Sequence, residues 1–274
     1  MIILATGISL IKVICRSARI EMELIEKYKY RIIEHKNSTN PFFQLFYWIS
    51  KLGYTILGFC FSSQYRQMFL TRLLYGKYMH QKSVYTEINR YPDLFEICRD
   101  YLKENSSPKI LSFGCSTGEE VFSIGKIIPN AEIVGTDINL WCIGKCRVKP
   151  FNRKHTFTHS HSELFEQMND FDAILCLAIF QHPANRQHAE AVLSSEYHFI
   201  KFDEEIKRLD KKLKVGGIIV IDHSDFDFLD TSVAGNYFPL DVSNNKIHRE
   251  RPSFNKENIK LSNSSHLYRI FVKT

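Results

Sequence analysis

The sequence of 274 residues lacks any run of five to eight lysines and arginines, and its formal net charge is only +6. Runs of that kind mark nucleic-acid patches, so no nucleic-acid partner is expected. None of its seven cysteines forms a C-x-x-C pair, and the count is odd. That pattern argues for free thiols in a reducing compartment, and a cytoplasmic location is expected. Cys142 and Cys146 stand one helical turn apart without paired histidines nearby, so they read as core packing, and no metal site is expected. A long apolar leader is also missing. The run Met1–Cys15 is broken by Lys12, is too short to span a bilayer and has no basic start or small-residue cleavage site. A signal peptide and a transmembrane helix are therefore excluded as expectations. Nor is there a G-x-G-x-x-G turn, which would seat a dinucleotide pyrophosphate.

What is there is an ordinary globular composition, 44% hydrophobic and 24% charged, in a chain long enough for one large α/β domain and an extension. The chain is organised around Lys109–Arg147. Lys109–Phe113 is an apolar-rich run suited to a buried strand, Gly114-Cys-Ser-Thr-Gly118 a turn of small residues, and Glu119–Ile127 has helical spacing. A second strand-like run, Glu132–Thr136, ends in Asp137. Strand, glycine turn, helix, strand, acid is the layout of a nucleotide site at the edge of a parallel sheet. Glycines let the backbone approach a ligand, and a carboxylate at the next strand end can accept both hydroxyls of a ribose. Glu119 and Glu120 open the helix where a phosphate would sit. A ligand with a ribose, no phosphate and some positive charge fits this pattern, and S-adenosylmethionine (SAM) is such a ligand.

The turn Ser112-Phe-Gly-Cys-Ser-Thr-Gly-Glu-Glu120 resembles motif I of class I SAM-dependent methyltransferases, most closely the chemotaxis-receptor (CheR-type) glutamate methyltransferases. Gly135-Thr-Asp-Ile-Asn139, Phe171–Cys176 and Gly216–Asp225 are similar to later stretches of that family, and the resemblance runs from about Thr86 to the C-terminus. It implies a Rossmann-like α/β fold with a seven-stranded, mostly parallel sheet whose last strand is antiparallel, here Leu267–Val272, plus an N-terminal helical extension. The implied cofactor-binding residues are Gly114, Cys115, Ser116, Thr117, Gly118, Glu120, Asp137, Ile138, His161, Cys176 and Leu177, with Thr86 and Arg90 of a Thr-x-x-x-Arg element reaching the methionyl carboxylate. If Thr86 and Arg90 belong to one helical turn they share a face; a solvated arginine is the plainer alternative. The sequence departs from the CheR-type pattern after Cys176, where Leu177-Ala178 replaces Arg-Asn. It also lacks the Asn/Asp-Pro-Pro-aromatic motif of base N-methyltransferases.

Along the chain, residues 1–85 read as a helical extension or cap and 86–274 as the methyltransferase domain, with 183–202 an insertion suited to a substrate lid. Glu21–His35 has amphipathic spacing, and Asn37–Pro41 is a break. Phe42–Phe61 is mostly aromatic and aliphatic around Lys51, Gly53 and Gly58. A central lysine costs about 3 kcal/mol on insertion scales, so two helical pieces packed on the core are expected. The alternative is peripheral contact with a membrane through 42–61, aided by Lys36, Arg66 and Arg72. Further elements are a helix from Pro92 to Lys103, strands Thr156–Thr158, Phe171–Ala178 and Ile218–Ile221, a helix Asp203–Leu213 and a loop 234–265.

The implied activity is methyl transfer to an oxygen of a small-molecule, glycan or lipid-linked acceptor. Protein carboxyl methylation of CheR type and a non-catalytic module binding SAM or S-adenosylhomocysteine (SAH) are the alternatives. His182 and His223 are the candidate catalytic bases, and Gln181 and Asp222 the candidate substrate-orienting residues.

Overall fold

A computed structural model of the protein describes residues 39–149, 154–182, 197–242, 253–261 and 268–274. The expectations for Met1–Cys15 and Glu21–His35 lie outside those residues, as does 183–196 of the insertion. The chain divides into two compact units, Met1–Arg66 and Gln67–Thr274, a boundary earlier than the 85/86 junction suggested by the sequence.

In the first unit, α1 (Pro41–Phe61) is one continuous helix of 21 residues, not two pieces. Asn40 caps it by accepting from the Phe42 amide at 2.9 Å, and Pro41 supplies a helix-ready φ at its first position. Gly58 does not break the helix because its bare Cα receives the Tyr65 ring; a Cβ there would stand 2.9 Å from Tyr65 Cγ. Arg66 donates to the Phe59 and Cys60 carbonyls, closing the C-terminus. No helix of the described residues is long and apolar enough to cross a membrane. A second helix, α2 (Ser63–Tyr75), follows.

The second unit is built on a seven-stranded sheet. Its elements are α3 (Pro92–Leu102), β1 (Lys109–Phe113), α4 (Glu119–Ile127), β2 (Glu132–Asp137), α5 (Leu140–Arg147), β3 (His155–His159), α6 (Glu163–Gln167), β4 (Phe171–Leu177), α7 (Phe199–Asp210), β5 (Leu213–Asp222), β6 (Tyr237–Pro239) and β7 (Ile270–Lys273). The strand order is β3-β2-β1-β4-β5-β7-β6, with β3 to β5 parallel and β7 antiparallel to both β5 and β6. This is the Rossmann-like, mostly parallel sheet with an antiparallel last strand that the sequence implies.

Alternation along each strand makes the two hydrophobic layers. Ile110, Ile133, Ala173, Leu175, Ile218 and Val220 pack on one face with α3 and α4. Leu111, Val134, Ile174, Cys176, Ile219 and Ile221 pack on the other with Phe165 of α6 and Phe202 of α7. Strands buried on both faces read as continuous apolar runs, which is why β1, β4 and β5 are visible in the sequence. The helix expected at Asp203–Leu213 instead spans α7 and gives way to β5, which starts earlier than Ile218 and is interrupted beside Gly216 (φ 76°). The loop expected over 234–265 contains the edge strand β6, three residues ending in proline that carry almost no periodic signal.

Candidate functional site

The carboxyl ends of β1, β2 and β4 converge, as the rule for open parallel sheets requires of a ligand site. After β1 the chain turns through Gly114 (φ 80°), Ser116 (φ 49°) and Gly118 (φ 92°). A Cβ on Gly114 would stand 2.6 Å from Ile179 Cδ1, so glycine is required there twice over, for the backbone and for the neighbour. The Gly114 and Cys115 amides both donate to the Thr136 carbonyl at 2.8 Å, folding the turn back onto β2. Gly118, in the left-handed region, then starts α4.

Asp137 sits at the end of β2 and is 9% exposed. Its Oδ2 accepts from the Ser116 amide at 2.9 Å and its Oδ1 from the Asn139 amide at 2.7 Å. Each oxygen keeps a lone pair for a ligand hydroxyl. Burial raises its pKa to about 6, against the two amide bonds that hold it down. Glu120, in the first turn of α4, accepts from Ser112 Oγ at 2.7 Å. Burial raises it to about 8; the Ser112 bond and the Arg90 charge oppose the rise. The acid of the site thus comes from the helix start, with Ser112 as its partner on β1.

A cavity of about 180 Å³ lies against these groups, entirely within the second unit. Of the expected cofactor residues, Thr86, Arg90, Gly114, Cys115, Ser116, Glu120, Asp137, Ile138, His161 and Leu177 line it. Thr117, Gly118 and Cys176 are outside the lining: Thr117 Oγ1 donates to Glu119 at 2.6 Å, and Cys176 is buried in the sheet's second layer. Gln181 lines the cavity and donates to the Ala178 carbonyl at 3.0 Å. His182, His223 and Asp222 are outside the lining. The His182 amide donates to Asp225 at 2.8 Å, and the His182 ring lies 6.0 Å from that of Tyr197. His223 (φ 57°) holds Nδ1 3.0 Å from Asp222 Oδ1 and 3.4 Å from the hydroxyl of Tyr91, which does line the cavity.

The sequence reading missed the strap 79–91 as a wall. Thr86 and Arg90 are not on a helical turn: Thr86 is in irregular backbone and Asn89 adopts φ 55°. Three of its bonds tie the strap across the strand ends. Ser116 Oγ donates to the Val84 carbonyl at 2.6 Å, Gln81 Nε2 to the Ala178 carbonyl at 3.0 Å, and the Asn89 amide to Ser123 Oγ at 2.8 Å. The strap brings His80, Gln81, Lys82 and Arg90 to the cavity, with Arg90 5.6 Å from the Tyr85 ring and 5.3 Å from that of Tyr91. Neither spacing nor composition distinguishes this segment from an ordinary linker. Ser116→Ala removes the tie to Val84. The expected result is about 1 kcal/mol less protection of the strap, roughly fivefold faster hydrogen exchange over residues 81–86. Unchanged exchange there would show that the Ser116 bond does not hold the strap.

On the β3 side, the His161 ring lies tilted against that of Tyr78 at 4.2 Å, and the Tyr75 ring against that of His159 at 4.6 Å. Burial, aided by Arg208, lowers His161 to about 4, so its ring is neutral at physiological pH. Cys115, Cys142 and Cys146 surround Ser116; Cys115 is raised well above the ordinary thiol range by its bond to Cys146 and by burial, and burial pushes Cys142 up to about 12. Cys115 and Cys142 are packing thiols, not nucleophiles.

No protein-family model matches the sequence, and no curated protein matches it. Among solved structures the chain is similar to PKMT2 from Rickettsia typhi, at 20% identity over 42% of this chain and 20% of that one, with a TM-score of 0.32. It is also similar to the plantazolicin methyltransferase BpumL in complex with SAH, at 16% identity over 72% of this chain and 61% of that one, with a TM-score of 0.36. The SAM-bound amino pentose methyltransferase CalS10 from Micromonospora echinaspora matches at 16% identity over 47% of either chain, with a TM-score of 0.33. The chain spans less than two thirds of the length of each of these structures. These likenesses are too slight to bear the functional reading, which rests on the site.

Proposed function

We propose that the cavity binds SAM and that the protein is a SAM-dependent methyltransferase acting on an oxygen acceptor. One observation carries this reading: a glycine turn, a strand-end carboxylate and a helix-start carboxylate face the same cavity. Asp137 is suited to the ribose hydroxyls. Glu120, once ionised, favours a cation over a phosphate. Arg90 is a natural partner for an α-carboxylate. Ile138 and Leu177 supply apolar surface, and neutral His161 a polar ring atom, for a purine. Among the residues outside the cofactor set, Gln81, Lys82 and Gln181 offer hydrogen-bond donors to an acceptor.

SAM, when bound, supplies a methyl group to an in-line nucleophile. The chain's own contribution is to hold the acceptor in line and keep water out, and the strap over the cavity is suited to both. A carboxylate acceptor needs no base. For a hydroxyl acceptor the pair Tyr91 and His223, backed by Asp222, is the route by which a proton could leave the cavity wall.

Calorimetric titration of the purified protein with SAM and with SAH tests the reading. Saturable binding of both, competitive with each other, is the expected result. No binding of either by the folded protein would overturn it, and the glycine turn would then be a structural connection between β1 and α4.

A further inference from the structure

The proposed activity leaves α1 without a role, and its surface is unusual. Phe42, Leu45, Phe46, Ile49, Leu52 and Ile56 recur at helical spacing, so they share one helix face, and all six are exposed.

 The least exposed of the six is Phe46 at 46% and the most exposed Phe42 at 75%. Trp48, at 60%, flanks them. The opposite side carries Tyr47, Ser50 and Gly58, which are buried. A monomeric soluble surface rarely shows an apolar face of this extent without a partner.

Charge says which partner. From Thr39 to Arg66 the described part of the first unit has Lys51 and Arg66 and no aspartate or glutamate. Lys51 is the one charged residue of α1; it stands one turn from Tyr47, off the apolar face, and its ammonium lies 4.7 Å from the Trp48 ring. An aromatic-rich apolar face with basic and no acidic residues is complementary to a bilayer of anionic lipids. No helix of the described residues is long and apolar enough to cross such a bilayer. We propose that α1 is an interfacial helix that docks the protein on anionic phospholipid membranes through Phe42, Leu45, Phe46, Ile49, Leu52 and Ile56.

The test uses the full chain and vesicles of phosphatidylcholine with or without phosphatidylglycerol. The wild type is expected to sediment with the phosphatidylglycerol vesicles, more weakly with the neutral ones, and less as salt rises. Its tryptophan emission should shift to the blue, and a Trp48→Phe variant should lose that shift. The double substitution Ile49→Glu and Leu52→Glu changes exposed residues only, and is expected to weaken vesicle binding roughly tenfold or more while leaving SAM binding and the unfolding temperature unchanged. Three results would overturn the proposal: no sedimentation of the wild type, equal binding by the double variant, or a wild-type dimer in solution that the double variant dissociates while vesicles bind neither. Because SAM binding is measured separately, failure of this proposal and failure of the methyltransferase reading are distinguishable.

Discussion

Asp137→Ala is expected to weaken SAM binding at least about tenfold. The ligand would lose two hydroxyl contacts to one carboxylate, on the order of 1.5–3 kcal/mol. The substitution also strips the Ser116 and Asn139 amides of their acceptor, and both amides are buried. Unsatisfied buried donors cost roughly 1–3 kcal/mol each, so the unfolding temperature falls as well. Titration is therefore run below that temperature, with circular dichroism to show that the variant is folded. Folded variant that binds SAM as tightly as the wild type would remove Asp137 from the ligand contacts and with it the ribose assignment. Loss of SAM binding with equal loss of SAH binding is the pattern of a ribose contact, since the two ligands share that sugar.

Glu120→Gln is expected to change how both stability and binding depend on pH. Burial raises the Glu120 carboxyl from 4.5 to about 8, so the folded ligand-free protein prefers it protonated. A folded-state value raised above the unfolded one contributes stability that is complete below pH 4.5 and lost as pH rises through about 8. Asp137, raised from 3.8 to about 6, acts in the same direction over a lower window. The ligand-free wild type should thus lose stability between pH 4.5 and 8, and the glutamine variant should lose less. The difference at the top of the window is on the order of 1–3 kcal/mol, several degrees in unfolding temperature. A cationic ligand reverses the preference, because it favours the carboxylate. Wild-type affinity for SAM should then rise from pH 6 to 8, with protons released on binding, and the variant should bind more weakly and show little of that rise. Thermal melts across pH, with and without SAM, and calorimetry in buffers of different ionisation heat read these effects. Parallel pH profiles for the two proteins would show that Glu120 does not titrate in this range.

The parts of the fold legible in the sequence are those whose signals are local. β1, the glycine turn and α4 follow one another within a few residues, and each is marked by apolar run, positive-φ glycine and helical spacing. The β2 acid is likewise next in line, which is why Asp137 and Glu120 could be named before any tertiary contact was known. β6 escaped because three residues ending in proline have no period to read. The continuity of α1 escaped because Gly53 and Gly58 look like breakers; the Tyr65 ring packed against Gly58 is a contact that no local signal shows.

The sequence by itself determined β1, β2, the turn and the two carboxylates, because the apolar runs of buried strands and the backbone freedom of glycine are properties of neighbouring residues. Only the tertiary structure decided which polar groups reach the cavity. Leu177 and Gln181 line it, yet His182, next in the chain, does not, because the chain leaves β4 through Ala178 at φ 60° and ties the His182 amide to Asp225. His80, Gln81 and Tyr91 do line it, because Ser116, Ala178 and Ser123 hold the strap across the strand ends. Those ties join residues far apart in the chain, and their free energy exists only once the parallel strands have brought the partners together.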